Sequence, residues 1–102
     1  MSKILVLVED PETAAGLVSG VEELGHAAVV SHKSAHAWET LEYNRDIALL
    51  IMDAMLGGSE GDNFIRRVKG HGVFRDLPII VFSAGYVGPR MVAEMLEHGA
   101  GW

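Results

Sequence analysis

The sequence predicts an α/β domain, a parallel sheet covered by helices on both faces. Two observations carry this. Four short runs of apolar, β-prone residues recur along the chain, and most of them do not alternate with polar residues. Each is followed by a stretch whose apolar positions fall at helical spacing, and glycines or a proline stand at most of the junctions. Continuous apolar runs suit strands buried on both sides, as parallel strands are.

The elements follow in order. Lys3 to Val8 (KILVLV) reads as the first strand, stopped by Glu9-Asp10. Asp10-Pro11-Glu12 opens a helix, with Asp10 as N-cap and Pro11 at the first helical position. Ala15, Leu17, Val18, Val21 and Leu24 form its apolar stripe, and Gly25 is placed to cap its end. His26 to Ser31 reads as a second, weaker strand. Ser34 to Tyr43 reads as a helix, with Ser34 as its N-cap and Ala37, Trp38 and Leu41 on one side. Ile47 to Asp53 (IALLIMD) is the third strand. Gly57, Gly58 and Gly61 mark a loop before a helix over Asp62 to Lys69, which Gly70 and Gly72 end. Leu77 to Phe82 is the fourth strand, where Pro78 fits only near the start. Pro89 to His98 is a fourth helix, capped by Gly99. No repeat, linker or low-complexity stretch interrupts this order.

Composition narrows the function. The 102 residues suffice for one domain, and 49% hydrophobic with 22% charged is ordinary for a globular fold. The net charge of −6, with eight Lys and Arg spread along the chain, argues against direct nucleic-acid binding. The absence of cysteine removes disulfides and thiolate metal sites. The first apolar run meets Glu9 and Asp10 at once, which is no signal peptide, and the longest apolar stretch, Ile47 to Met52, is far too short to span a membrane. A cytoplasmic protein is expected.

In open parallel sheets, ligands sit beyond the carboxyl ends of the strands. Strand one ends in Glu9-Asp10, strand three in Asp53 and strand four in Ser83. Three carboxylates and a hydroxyl are thus expected on one rim. Grouped carboxylates need a cation, and oxygen-only ligands suit Mg²⁺. A carboxylate can also attack phosphorus and form an aspartyl phosphate. Singly, each residue has a plainer reading: Asp10 as a helix cap, Ser83 as a turn residue. Their shared place at strand ends favours the chemical reading.

These residues resemble a known family. Ile4 to Asp10 is similar to the opening of bacterial response-regulator receiver domains, where a strand ends in an acidic pair. Asp53 to Gly61 resembles the family's phosphoacceptor segment, Leu77 to Ala84 its fourth strand with a Ser/Thr switch residue, and Glu97 to Ala100 the Gly-Ala after its fourth helix. The resemblance spans essentially the whole chain. It implies a flavodoxin-like doubly wound sheet of order 2-1-3-4, an order taken from the family and not from the residue pattern. It implies that Asp53 is the phosphoacceptor. Asp10, Asp53 and the backbone carbonyl of Met55 would hold Mg²⁺, with Glu9 acting through water. Ser83 would bond the phosphoryl group. The donor would be a sensor histidine kinase or phosphotransfer protein. The domain would be no enzyme beyond its own phosphorylation and dephosphorylation.

There are departures. Gly57 stands where the family usually has Pro. The family continues into a fifth strand, with a characteristic Lys, and a fifth helix. Here the sequence ends at Trp102, and Lys3, Lys33 and Lys69 do not match that Lys. Residues 1–102 therefore read as a receiver domain incomplete at its C-terminus, with the fourth strand left as an apolar edge that invites a homodimer. The alternative is a pseudo-receiver, the same fold used for interaction or dimerisation without phosphorylation. A phosphohydrolase with an Asp nucleophile has less support, because Met55 stands where a second Asp is expected. His32 and His36 have metal-ligand spacing but straddle Ser34 and lack a third ligand, so they read as solvated surface. His26, His71 and His98 read as loop or helix-end residues, and Trp38 as packing.

Overall fold

The computed structural model describes residues 2–53 and 60–82, apart from the side chains of Glu60 and Asp62. The expected fourth helix, Met55, Gly57, Ser83 and Trp102 lie outside the described residues. In chain order the elements are β1 (Lys3–Leu7), α1 (Pro11–Glu23), β2 (Ala27–Ser31), α2 (Ser34–Tyr43), β3 (Ile47–Asp53), α3 (Glu60–Lys69) and β4 (Ile79–Phe82). The four strands form one parallel sheet in the order β2-β1-β3-β4. This is the order that the resemblance implied. Among the described residues, β4 closes one side of the sheet, and its Val81 is 38% exposed.

The sheet separates two cores. On one face, Ile4, Val6 and Val8 pack with Leu49 and Ile51 of β3 under Ala14, Leu17 and Val21 of α1. On the other, Leu5 and Leu7 join Leu50 and Met52 under Trp38 and Leu41 of α2 and Phe64 and Val68 of α3. Both faces of β1 thus meet apolar cores, which is why this strand does not alternate. A register shift between Lys3 and Ile4 pairs Lys3 with Ile47 and Ile4 with Leu49. It leaves Ala48 exposed and lets Ile47 join the same core as Leu50.

The ends of α1 are built as its sequence predicts. Asp10 is the N-cap, accepting from the Thr13 backbone N–H at 3.0 Å. At the other end Gly25 has φ +87°, and its N–H donates to Glu22 O while that of His26 donates to Val21 O. This is the Schellman arrangement, which needs a left-handed residue where glycine is free of Cβ strain.

Five boundaries differ from expectation: β1 ends at Leu7 and not Val8, β2 starts at Ala27 and not His26, and the other three concern α2, α3 and β4. The N-cap of α2 is Lys33, without a side-chain cap bond, and not Ser34. α3 starts at Glu60, so Gly61 is helical and marks no loop. A glycine costs a helix about 1 kcal/mol, less than burial of Phe64 and Val68 on this short helix returns. β4 starts at Ile79, because Leu77 N–H donates to Phe74 O in a turn, while Pro78 contributes only its carbonyl, to Leu50 N–H. No helix among the described residues is long and apolar enough to cross a membrane.

Candidate functional site

The rim at the carboxyl ends of the strands begins where the apolar runs stop. Asp53 is the last residue of β3 and is 8% exposed. The register puts Leu7 opposite Met52 and Asp53 opposite Phe82, so Asp53 stands level with the ends of both neighbouring strands. Glu9 and Asp10 follow β1 and are both exposed. The fold thus gives the rim one enclosed carboxylate between two strands and an exposed acidic pair on the turn beside it.

Asp10 is held in place by its own helix. Its Oδ2 accepts from the Thr13 backbone N–H and, at 2.7 Å, from the Thr13 hydroxyl. These two bonds, the hydroxyl's foremost, hold its carboxyl below the ordinary carboxylate value, against a smaller opposing effect of desolvation. Asp10 is therefore ionised and preorganised at neutral pH. Thr13 is a positioning residue that the sequence reading passed over. The spacing Asp10-Pro11-Glu12-Thr13 was the available signal, since an N-cap bonds the residue three positions on.

A second tie joins β2 to the rim. Nδ1 of His32 lies 2.8 Å from the carbonyl oxygen of Val8. A carbonyl only accepts, so Nδ1 carries the proton. His32 therefore secures the turn out of β1, next to Glu9. His36 is exposed, in line with the reading of this pair as surface.

Among the described residues, no group of three His, Asp or Glu side chains is placed to hold a metal ion. The expected set of Asp10, Asp53 and the Met55 carbonyl, with Glu9 through water, includes Met55, which lies outside the described residues. Two carboxylates remain a fitting donor set for Mg²⁺, which keeps its waters and binds through one or two carboxylates. They do not suit Ca²⁺, which takes six to eight oxygens.

Known proteins share this architecture. The chain is 27% identical over 81 residues to the chemotaxis protein CheY1 of Helicobacter pylori, covering 78% of this chain and 65% of that protein. It therefore spans less than two thirds of that relative's length. Among solved structures, a sensor protein from Polaromonas sp. JS666 superimposes with a TM-score of 0.76 at 31% identity, over 82% of this chain and 66% of that one. The chemotaxis response regulator CheY4 of Vibrio cholerae gives a TM-score of 0.84 at 13% identity, over 96% and 98%, a likeness of fold alone. No family model matches the chain. The parallel order β2-β1-β3-β4, the acidic turn after β1, the aspartate ending β3 and these relatives agree: the chain belongs to the CheY-like family of response-regulator receiver domains.

Proposed function

We propose that this domain serves two-component signalling by accepting a phosphoryl group on Asp53. The observation that carries the proposal is the position of Asp53, which closes β3 between the ends of two parallel strands and beside the ionised Asp10. A carboxylate oxygen of Asp53 attacks phosphorus in line. The bond from phosphorus to the donor's nitrogen or oxygen breaks, and the leaving group keeps the electron pair. The donor is a phosphohistidine of a sensor kinase or phosphotransfer protein, by extension from the roles of similar proteins as response regulators. Asp10 and Asp53, with the Met55 carbonyl and with Glu9 through water, would hold Mg²⁺, which neutralises charge on the transferring group. Thr13 keeps the Asp10 carboxylate aimed and ionised. Ser83, the residue after β4, would bond a phosphoryl oxygen.

The test is intact-mass spectrometry after incubation with a small acyl phosphate, with and without Mg²⁺. The expected result is a phosphoryl adduct that needs Mg²⁺ and is absent from Asp53→Asn. An unmodified, folded wild-type chain would refute the proposal. It would favour the second reading, a phosphorylation-independent interaction module that pairs through β4, the strand that closes the described sheet with Val81 exposed.

A further inference from the structure

The chain as a whole is acidic, yet its basic residues are not evenly spread in space. Residues 63 to 75 contain four of the eight Lys and Arg and none of the 14 Asp and Glu. They form most of α3 and the turn after it, and the fold brings Arg45 to the same surface. Its guanidinium lies 5.4 Å from the centre of the Phe74 ring, and that of Arg67 lies 3.9 Å from the centre of Trp38. The rings form one floor: His71 stacks on Phe74 at 4.7 Å, and Trp38 meets both edge-on at 5.5 and 5.6 Å.

The chemistry of these cations is particular. Among the described residues, the ion pair is Lys3 with Asp46, and none of Arg45, Arg66, Arg67 and Arg75 takes part in one. Lys69 is tied to the following turn, donating to the carbonyls of Arg75 and Leu77. An arginine stacked on a ring keeps its planar N–H edge for a carboxylate or phosphate and loses little freedom when it binds one. Arg66 and Arg75 are exposed, and they adjoin Arg67 and Phe74 in sequence. In sequence the patch is bordered by Glu42, Asp46, Asp62 and Asp76.

We infer that this surface docks a short acidic segment of a protein partner, its carboxylates meeting Arg45, Arg66, Arg67 and Arg75 over the Trp38–Phe74 floor. Size decides against a nucleic acid. The molecule measures 32 × 29 × 23 Å, and charges are screened beyond about 8 Å at physiological salt. A few carboxylates fit inside the field of the patch. A long polyanion would continue along a chain whose remaining residues carry all 14 Asp and Glu against three Lys and Arg. The patch surrounds the turn that leads into β4, at the end of the sheet away from Asp53. The inference does not depend on phosphorylation.

The test is fluorescence anisotropy with a labelled acidic peptide of about ten residues, its Asn/Gln counterpart and a labelled single-stranded DNA, on the full chain. The expected result is binding of the acidic peptide that weakens with salt and drops about tenfold in Arg66→Glu/Arg75→Glu. These two side chains are exposed, and the variant should keep the wild-type circular dichroism and the Mg²⁺-dependent phosphoryl adduct. Arg66→Gln/Arg75→Gln should show a smaller loss. Equal binding of the neutral peptide, unchanged affinity in the charge reversal, or tighter binding of the DNA would each overturn the inference. So would a doubling of the chain's own mass that the charge reversal abolishes, since the occupant would then be a second copy.

Discussion

Trp38→Ala should cost this domain much of its stability. Trp38 is 7% exposed and packs edge-on against Phe64, His71 and Phe74, with centroids 6.4, 5.5 and 5.6 Å away. Removing a buried tryptophan costs about 3–5 kcal/mol through lost transfer energy and the cavity left behind. Ring pairs add about 0.5–1.5 kcal/mol each beyond area, and the Arg67 contact about 0.5–1 kcal/mol at an exposed site. These contributions overlap, so the upper part of the first range, about 4–5 kcal/mol, is the expectation. A domain of this size holds about 5–15 kcal/mol in total, which leaves the variant marginal. Urea unfolding followed by far-ultraviolet circular dichroism measures it, with the midpoint expected to fall by about 2 M. Trp38→Phe keeps an aromatic plane and should lose clearly less. A loss under about 1.5 kcal/mol with an unchanged slope would mean that the four rings do not pack as a unit, and the reasoning would fail.

Three further outcomes are expected. Gly25→Ala meets no neighbour within 4 Å but must hold φ near +87°, so it should lose about 1–2 kcal/mol in the same assay; a neutral result would show that the Schellman turn relaxes. A double-mutant cycle between Arg67→Ala and Trp38→Phe should give a favourable coupling of about 0.5–1 kcal/mol, and a coupling of zero would remove the stacked guanidinium from the docking argument. The acid side of the stability curve should respond to Thr13 and Lys3. The Thr13 hydroxyl lowers the Asp10 carboxyl and the Lys3 ammonium lowers that of Asp46, both from 3.8. A carboxyl lowered by folding stabilises the fold above its unfolded value, and that stabilisation is lost as pH falls through the lower folded value. Thr13→Val and Lys3→Met should therefore each shrink the stability lost below about pH 4; curves parallel to wild type would refute it.

Much of the fold was legible because local and tertiary signals agree. β3 and α2 run over the residues that the pattern predicts, Ile47–Asp53 and Ser34–Tyr43. In β3 an unbroken apolar run coincides with burial in two cores, and in α2 the stripe of Ala37, Trp38 and Leu41 faces one of them. Misreadings arose where tertiary packing overrode local chemistry. Gly61 signals a loop, but Phe64 and Val68 draw its segment into α3. His71 lies after the end of α3, as a loop or helix-end residue should, but its ring also lies on Phe74 and against Trp38, a meeting of distant positions that no short pattern encodes. At the rim, the residue identities were visible but not their division of labour. That Asp10 is tied to Thr13 follows from where α1 begins, a matter of turn geometry.

α1 rests on the sheet through small residues, with Ala14 and Gly20 buried beside Leu17 and Val21. That seat lets the helix lie close, and it also makes α1 a lever. Ten residues separate Gly20 from Asp10, an arm of about 15 Å. A tilt of about 4° around that seat swings the carboxylate by about 1 Å, a displacement that can cost a reacting group a hundredfold in rate. A substitution at Gly20 that tilted α1 would thus be felt at the rim. The aim of Asp10 is set as much by the far end of its helix as by the threonine that holds it.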